Sequence, residues 1–210
     1  MGAAASPLRL LVWDRTCRGR GPLPGLSHVW GAGGVLYRGL GRLDAGLGAR
    51  TWAEALDWLA AFEPRRPIAE IQYWGHGRWG EVRLADEVLS EAALQPGHRH
   101  HLRLQALAAR LLPGSEGLIW FRTCETFGTA AGHRFARAWS RFFRCRVAGH
   151  TYVIGAWQSG LHGLLPDAEP DWPVDEGLAA EGETRGLAVM SHPRAPRTIT
   201  FLHGRIPEGY

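Results

Sequence analysis

Hydrophobic runs typical of strands alternate along the chain with segments in which apolar residues recur at helical spacing. Four runs have the length and composition of buried strands, and they are Leu8–Asp14, Ile68–Trp74, Leu118–Arg122 and Val147–Ile154. Three segments between these runs have the periodicity of amphipathic helices, and they span residues 51–62, 101–112 and 130–143. Two further stretches, at 187–190 and 198–202, predict a closing hairpin or two edge strands.

Local signals support the first helix and leave the segment before it irregular. Thr51 and Glu54 have the spacing of a capping box, in which each side chain satisfies a free amide of the first helical turn. Residues 15–50 are rich in glycine and predict irregular structure, with a possible strand at Val35–Tyr37.

This order of elements predicts an α/β fold. Strands that alternate with helices form a mostly parallel sheet with helices on both faces, so we expect a three-layer sandwich. The sequence contains no internal repeat and no long linker, and we therefore predict a single domain over residues 1–210. In such sheets the active site lies just beyond the carboxyl ends of the strands.

The composition is that of a globular protein in a reducing compartment. Hydrophobic residues make up 45% and charged residues 21% of the chain, and no apolar run reaches the roughly 18 residues of a membrane-spanning helix. We therefore predict no association with a membrane. The three cysteines, an odd number without the spacing of a disulfide framework, predict free thiols and a cytoplasmic location.

The residue types that the chain lacks exclude several chemistries. All 24 basic residues are arginine, which excludes a phosphate-binding lysine, a Schiff-base lysine and a Ser-Lys dyad. Asparagine is also missing, which excludes a Cys-His-Asn triad. The net charge of +4 follows from the general use of arginine, and we predict no nucleic-acid partner.

His76 and Cys124 each follow a predicted strand directly. Since parallel strands end at one edge of a sheet, we expect the two side chains to meet there, after adjacent strands. A thiol hydrolase needs a thiolate and an imidazole that stabilises it and transfers protons. Gly77 has no side chain, so a carbonyl group can approach its amide, which would form an oxyanion hole with the Cys124 amide.

Two motifs carry a resemblance to a known group of enzymes, and they are Tyr73-Trp-Gly-His-Gly-Arg-Trp-Gly80 and Trp120-Phe-Arg-Thr-Cys-Glu-Thr126. The first motif is a hydrophobic strand followed by His-Gly, and the second is a hydrophobic strand that ends in a small residue and Cys. In this combination and order the sequence resembles the clan CD cysteine peptidases. This clan includes caspases, metacaspases, gingipains, separase and bacterial CHAT domains. The Thr-Cys-Glu-Thr run, with Gly128 and an apolar helix after it, is most similar to the CHAT branch.

The resemblance implies a caspase-like fold and a cysteine endopeptidase that acts on protein or peptide substrates without a cofactor. It implies His76 as the proton shuttle, Cys124 as the nucleophile and the Gly77 amide as an oxyanion donor. The Q-A-C-x-G signature of true caspases is absent from the sequence, so the resemblance does not imply cleavage after aspartate.

Two alternative interpretations remain open. His150 can be the partner of Cys124 instead of His76, in a residue order similar to that of papain-like enzymes and class I glutamine amidotransferases. The domain can also be a catalytically inactive module that keeps the fold and binds peptides without cutting them.

Residues after the fourth predicted strand are candidates for the substrate pocket, because in clan CD this region helps to bind the residue before the scissile bond. Trp157 either lines that pocket or fills the edge of the sheet. The segment Asp167–Glu183 contains seven acidic residues and no basic one. Within it, Asp167, Asp171 and Asp175 predict a pocket for Arg or Lys, and the alternative is a solvated loop that balances the arginines.

His98, His100 and His101 are close in sequence, as in some metal-binding motifs. No Cys or acidic residue stands at ligand spacing from them. We therefore predict a solvated loop or the start of a helix here, and neither a metal centre nor another cofactor.

Overall fold

The computed structural model describes residues 6–19, 24–180 and 185–210. These residues form eleven strands, four α-helices and one short 3-10 helix at Glu91–Leu94. The strands are β1 Leu8–Asp14, β2 Ala45–Ala49, β3 Ile68–Trp74, β4 His76–Arg78, β5 Glu81–Leu84, β6 Glu87–Ser90, β7 Gly114–Arg122, β8 Cys145–His150, β9 Trp157–Gln158, β10 Leu161–Leu164 and β11 Ile199–Thr200. The helices are α1 Leu26–Gly39, α2 Trp52–Ala61, α3 His101–Ala108 and α4 Thr129–Phe143. Within these ranges no helix is both long enough and apolar enough to cross a bilayer.

The central sheet has six strands in the order β10-β8-β7-β3-β1-β2. Neighbouring strands from β2 to β8 run parallel, and β10 runs antiparallel to β8. The predicted mostly parallel sheet is therefore confirmed. Since β1, β3 and β7 are neighbours, the residues that follow them meet at one edge.

Side chains alternate between the two faces of this sheet, and both faces are covered. Leu10 belongs to the large core that the sheet forms with α2, α3 and α4. Leu11 points the other way and packs with Tyr37 of α1 and Trp74 of β3. The C-terminal residues from 199 onward cover the rest of that second face. The molecule is thus a three-layer α/β sandwich, as predicted.

The helix α1 departs most from the sequence-based prediction. We predicted irregular structure with a strand at Val35–Tyr37, and this is wrong because α1 includes that segment. Each glycine costs a helix about 1 kcal/mol relative to alanine, so the composition does not indicate a helix here. The glycines allow close packing instead. An added β-carbon at Gly33 would lie 2.8 Å from the Trp74 ring, and one at Gly34 would lie 2.9 Å from Leu11.

Several other predicted elements are confirmed at or near their predicted ends. β1 and β3 have the predicted bounds, α2 is shorter than predicted by one residue at each end, and α4 begins one residue earlier than predicted. At the start of α2, the Thr51 side chain accepts a hydrogen bond from the Glu54 amide at 3.1 Å. The Glu54 carboxylate accepts a hydrogen bond from the Arg50 amide at 2.8 Å. In the usual capping box this bond comes from the amide of the N-cap residue, here Thr51.

Some boundaries and pairings differ from the prediction. α3 ends at Ala108 and β8 ends at His150, so both are cut short at their carboxyl ends relative to the prediction. β7 is longer than predicted, because it already begins at Gly114. In the tail a hairpin or two edge strands were predicted at 187–190 and 198–202. The second stretch contains β11, which pairs with β9, and the first forms only isolated bridges, so the two stretches do not form a hairpin. The short strands β9 and β10 were not predicted.

A small antiparallel sheet, β4-β5-β6, follows β3 immediately. It begins at His76, so this residue lies at the junction of two sheets. Val82, Leu84 and Leu89 are buried and join the small sheet to the large core. The sequence analysis missed this sheet because its strands have only three or four residues, too few to show a periodicity.

Candidate active site

Three side chains with reactive atoms follow three adjacent strands of the central sheet. Cys17 comes shortly after β1, His76 after β3 and Cys124 after β7. The strand that precedes His76 lies between the other two. The imidazole therefore has one cysteine on each side of it.

In this structure the His76 side chain lies against Cys17. Its Nε2 atom is 2.9 Å from Cys17 Sγ, within hydrogen-bond distance. The Trp30 ring of α1 meets the imidazole edge-on, with ring centroids 5.6 Å apart. His76 is exposed to solvent, so its ring can change rotamer without displacing a packed core. The fold thus brings His76 and Cys124 to one edge, but the ring forms its hydrogen bond with the other cysteine.

Cys124 is partly buried in the loop between β7 and α4. Its Sγ atom lies 3.8 Å from the carbonyl oxygen of Ile154. Burial raises the pKa of the Cys124 thiol, and the charge of Glu125 adds to this rise, whereas backbone hydrogen bonding at Ile154 and at Cys124 lowers it. A thiol in these surroundings needs a base to take its proton before it can react as a thiolate.

Buried hydrogen bonds fix the loop that carries Cys124. The hydroxyls of Thr123 and Thr126 lie 2.6 Å apart, and both side chains are fully buried. The Phe127 amide donates to the carbonyl group of the last residue of β8, and the Glu125 amide donates to the carbonyl group two residues further on, both at 3.0 Å. Glu125 has a φ of 57°, a left-handed conformation that is unfavourable for a residue with a side chain. The surrounding bonds must stabilise it, as is common at functional sites.

Gly77 packs directly against this loop. A β-carbon added there would contact the Thr126 hydroxyl, and would lie 2.8 Å from the Thr123 hydroxyl and 2.9 Å from the Cys124 carbonyl oxygen. The sequence analysis explained this glycine by the approach of a substrate carbonyl. The structure adds a packing reason, because only glycine lets the segment after β3 touch the segment after β7.

A cavity of about 400 Å³ opens at this edge, and both His76 and Cys124 line it. One wall comes from Leu26, Val29 and Trp30 of α1. Leu26 and Val29 expose about half of their surface, so among the described residues this apolar surface has no complete covering. A largely apolar cleft with a few polar groups is the usual form of a ligand site.

Arg122 lies beneath this cavity with its guanidinium group buried. Its Nε and Nη2 atoms donate to Gln158 Oε1 at 3.0 and 2.7 Å, and Nη1 donates to the Tyr37 hydroxyl at 2.9 Å. The carbonyl groups of Phe201 and His203 accept further bonds at 3.0 and 3.2 Å. All of these acceptors are neutral, so the floor of the cavity carries a positive charge.

Asp14, the last residue of β1, completes the group around Cys17. Its Oδ1 atom accepts hydrogen bonds from the amide and hydroxyl of Thr16 at 2.7 and 2.6 Å, and Oδ2 lies 3.6 Å from Cys17 Sγ. Burial, followed by the charge of Asp14, raises the pKa of Cys17 to about 11. Burial and the neighbouring carboxylate thus both disfavour the thiolate of Cys17. Ligand atoms of Asp14, Cys17 and His76 lie within 4.8 Å of one another, close enough to share a metal ion.

His150, the alternative partner of Cys124, is fully buried at the end of β8. Its Nδ1 atom lies 3.1 Å from the carbonyl oxygen of Ser159. Burial lowers the pKa of His150 to about 3, so the ring stays neutral at physiological pH. His150 is not among the residues that line the cavity shared by His76 and Cys124.

Trp157 lies in β9, beside the cavity but outside its lining. The side chain is 42% exposed, and the neighbours Ala156 and Gln158 line the cavity in its place. β9 pairs with β11, so Trp157 belongs to the small two-stranded sheet that lies over this side of the molecule.

The three predicted pocket carboxylates do not come together at the cavity. Asp167 lines a surface depression with Gly114, at the opposite end of β7 from Cys124. Asp171 and Asp175 are exposed to solvent. None of the three is among the lining residues of the cavity beside Cys124.

The other acidic residues of this segment have different environments. Glu176 is drawn inward, where its Oε1 atom accepts hydrogen bonds from His162 and Thr151, both at 2.7 Å. Glu169 pairs with arginines of α4 on the surface. Glu181 and Glu183 lie outside the described residues.

The sequence analysis missed Asp14, Cys17 and Arg122 as members of this region. The rule that sites lie beyond the carboxyl ends of parallel strands, applied to β1 as it was to β3 and β7, would have indicated Asp14 and Cys17. Arg122 had no such signal, because its role depends on carbonyl groups of the distant C-terminal segment.

Comparison with known proteins adds no family to this description. No protein-family model matches the sequence. The curated proteins contain no significant match either.

Proposed function

We propose that this protein is a caspase-like cysteine peptidase in which Cys124 attacks the substrate and His76 transfers the protons. The observation that carries the proposal is that both residues line one cavity, beyond the ends of adjacent parallel strands. The close packing of Gly77 on the Cys124 loop supports it, because this packing keeps the His76 backbone next to the nucleophile. The resemblance to clan CD peptidases supplies the class of reaction.

The reaction requires the His76 ring to turn from Cys17 toward Cys124. The ring is exposed, so the turn needs only rotation about side-chain bonds. Catalytic hydrogen bonds are often long or misaligned before the substrate binds. We therefore expect substrate binding in the cavity to favour the rotamer that faces Cys124.

Each proton and bond of the proposed cycle has a place. His76 takes the thiol proton of Cys124, and the sulfur attacks the peptide carbonyl carbon to form a C–S bond. The imidazolium then gives its proton to the amine nitrogen as the C–N bond breaks. A water molecule gives one proton to His76 and attacks the thioester. The C–S bond breaks, the acid product leaves and the proton returns to the sulfur.

The surroundings of the competing residues favour this assignment. Cys17 has a pKa of about 11 beside Asp14, which disfavours its thiolate. His150 is buried with a pKa of about 3, which disfavours its protonated form. A proton shuttle must reach both states during each cycle, and the buried ring of His150 does not meet this need.

The cavity favours a neutral or acidic substrate residue over a basic one. Its lining is largely apolar and its floor contains Arg122, whose positive charge repels a Lys or Arg side chain. The expected preference for basic residues depended on Asp167, Asp171 and Asp175, which lie away from the cavity. The proposal therefore omits that preference.

One observation favours a second candidate function, a peptide-binding module without catalysis. The His76 ring bonds to Cys17 and not to Cys124, as expected if the imidazole served only to hold the segment after β1. The same cavity and its apolar α1 wall would then bind a peptide segment. The following experiment separates the two functions.

The test is hydrolysis of a fluorogenic peptide library by the wild type and four variants. We expect Cys124→Ala and His76→Ala each to lower kcat/KM by about 10³-fold or more, as for members of other catalytic units. The matched controls Cys145→Ala and His150→Gln should stay within a few fold of the wild type, because both residues lie outside the cavity.

Three outcomes would contradict the proposal. Activity that survives in Cys124→Ala would exclude Cys124 as nucleophile. Activity that is lost in His150→Gln but kept in His76→Ala would favour the alternative pair. Saturable peptide binding without hydrolysis by the wild type would favour the inactive module.

A further inference from the structure

A buried carboxylate that forms no ion pair with any of the described residues lies next to the proposed dyad. Asp14 is only 1% exposed. In the part of the chain that the structure describes, no arginine forms an ion pair with it. A buried charge is costly unless another charge or a metal ion compensates it. Its contacts are instead the Thr16 amide and hydroxyl, the Ala85 amide and the Cys17 thiol.

We propose that Asp14, Cys17 and His76 form a binding site for Zn²⁺. The three residues offer a carboxylate oxygen, a thiolate sulfur and an imidazole nitrogen, all common zinc ligands. Soft sulfur and imidazole ligands together favour zinc over magnesium or calcium, which prefer oxygen. Three protein ligands leave a fourth position for water.

Two of the three distances between the ligand atoms are close to those around a tetrahedral ion. Zinc bonds of about 2.3 Å to sulfur and about 2.1 Å to oxygen or nitrogen separate two tetrahedral ligands by roughly 3.6 Å. The observed distance from Cys17 Sγ to Asp14 Oδ2 is 3.6 Å. The distance from Cys17 Sγ to His76 Nε2 is 2.9 Å, so the imidazole must move away by roughly 0.7 Å. The ligand atoms of the third pair, Asp14 and His76, lie within 4.8 Å of each other. The exposure of the imidazole allows this movement and gives the ion a path from solvent.

Neighbouring groups already orient the carboxylate for this role. Both Thr16 bonds go to Oδ1 of Asp14, which turns Oδ2 toward Cys17. Outer groups that hold a metal ligand in this way are typical of metal sites and increase affinity. The Ala85 amide donates to Oδ2 at 3.2 Å, and this oxygen still has a further lone pair for the ion.

The ion would also resolve the unfavourable charge pattern of the cluster. A buried carboxylate without an opposite charge is unfavourable, and a divalent cation compensates it while binding the neighbouring sulfur as a thiolate.

This site has a regulatory consequence that rests on the proposed function. An imidazole bound to zinc through Nε2 cannot take the proton of Cys124. Zinc would therefore inhibit the peptidase by holding His76 on the side of Cys17, and a chelator would restore activity.

Cobalt titration of the purified protein, without any substrate, tests the site. A thiolate bound to Co²⁺ gives an intense near-ultraviolet charge-transfer band, and Zn²⁺ should remove this band by displacing the cobalt. We expect the band in the wild type and in Cys124→Ser. It should vanish in Cys17→Ser and Cys17→Ala, and Asp14→Asn should weaken binding by at least about tenfold, since loss of even an outer group costs 10- to 100-fold.

Cys124→Ser is the matched control, because it removes the other thiol of the same sheet edge. No charge-transfer band in the wild type, or a band that survives in both Cys17 variants, would overturn the zinc site. Loss of the band in Cys124→Ser with retention in Cys17→Ser would place the ion on the wrong cysteine and also overturn it.

A separate measurement keeps the regulatory consequence distinguishable from the site and from the proposed function. For the wild type and each variant that cleaves peptide, the rate of peptide hydrolysis with zinc is divided by the rate with a chelator. A ratio near one in a wild type that shows the cobalt band would exclude inhibition, while the metal site would stand. If no variant cleaves peptide, the proposed function fails and the cobalt result still decides the site.

Discussion

Two histidines near the edge of the sheet have opposite surroundings. His76 is exposed and has a cysteine on either side, whereas His150 is fully buried in the core. Burial holds the pKa of His150 at about 3. In the unfolded chain, the pKa of histidine is about 6.5. Between these two values the unfolded state binds a proton that the folded state does not.

The stability of the protein should therefore fall as the pH drops below about 6.5, and His150 should cause part of the fall. Each pH unit in this window costs about 1.4 kcal/mol, so the step from pH 7.5 to pH 5 should cost about 2 kcal/mol through this residue alone. We expect His150→Gln to show a loss smaller by about that amount. Urea unfolding at both pH values measures it.

His28→Gln is the matched control for this experiment, because it removes an exposed histidine from α1. Its loss of stability between pH 7.5 and pH 5 is compared with the losses of the wild type and of His150→Gln. Equal losses in all three proteins would mean that the His150 ring is protonated in the folded state as readily as in the unfolded state.

The residues of the dyad could be predicted from their positions after hydrophobic runs, but their contacts could not. Cys17 and His76 are 59 positions apart and meet only because β1 and β3 pair in the sheet. The partners of Arg122 come from still more distant positions. Such contacts follow from strand order, which the local pattern of a single sequence does not contain.

Among the elements, α1 shows how packing can outweigh helix propensity. Its sequence contains several glycines, yet it forms a helix because its small residues allow the backbone to approach the sheet. The helix then supplies the apolar wall of the cavity through Leu26, Val29 and Trp30. The strands β1 and β3 were predicted with their bounds because continuous apolar runs are a strong signal.

Alanine substitutions within α1 test this explanation of the glycines. At Gly33 a new methyl group would clash with the Trp74 and Phe201 rings, at 2.8 and 2.7 Å. We expect Gly33→Ala to lower the free energy of unfolding by about 1–3 kcal/mol, as overpacked cores do. At Gly31 the nearest atom is 3.7 Å away, so Gly31→Ala should raise the free energy of unfolding by up to about 1 kcal/mol.

Urea denaturation of the two variants provides the comparison. Stabilisation by Gly33→Ala would show that α1 does not lie as close to the sheet as described. Destabilisation by Gly31→Ala of the same size as that by Gly33→Ala would show that a general effect on the helix, and not the local clash, is responsible.

At the scale of the whole molecule, buried hydrogen bonds join the C-terminal segment to the sheet. The Tyr37 hydroxyl donates to the Phe201 carbonyl group and accepts a bond from Arg122. The same arginine bonds to Gln158 at the cavity floor. The covering of the second face and the floor of the cavity thus depend on one polar network. The alternation of strands and helices in the sequence was enough to predict the fold class. It could not predict this network, because the residues that form it are far apart in the sequence.

Tyr37→Phe should weaken this network with little change in shape. The loss of the hydroxyl leaves a buried donor of Arg122 and a buried carbonyl group with fewer partners, which should cost about 1–3 kcal/mol of unfolding free energy. Trypsin should also cleave faster after Arg205, because this residue lies in the segment that the network holds. The matched control is Tyr152→Phe at a less buried site, and equal effects of both substitutions would contradict the explanation.

The central claim is that Cys124 is the reactive thiol and His76 is its base. The most direct measurement is peptide mapping by mass spectrometry after reaction of the wild type and His76→Ala with a peptidyl acyloxymethyl ketone. The account predicts that the adduct forms on Cys124 in the wild type, is missing from Cys17 and Cys145, and is lost in His76→Ala. An adduct on Cys17, or equal modification of Cys124 in both proteins, would contradict it.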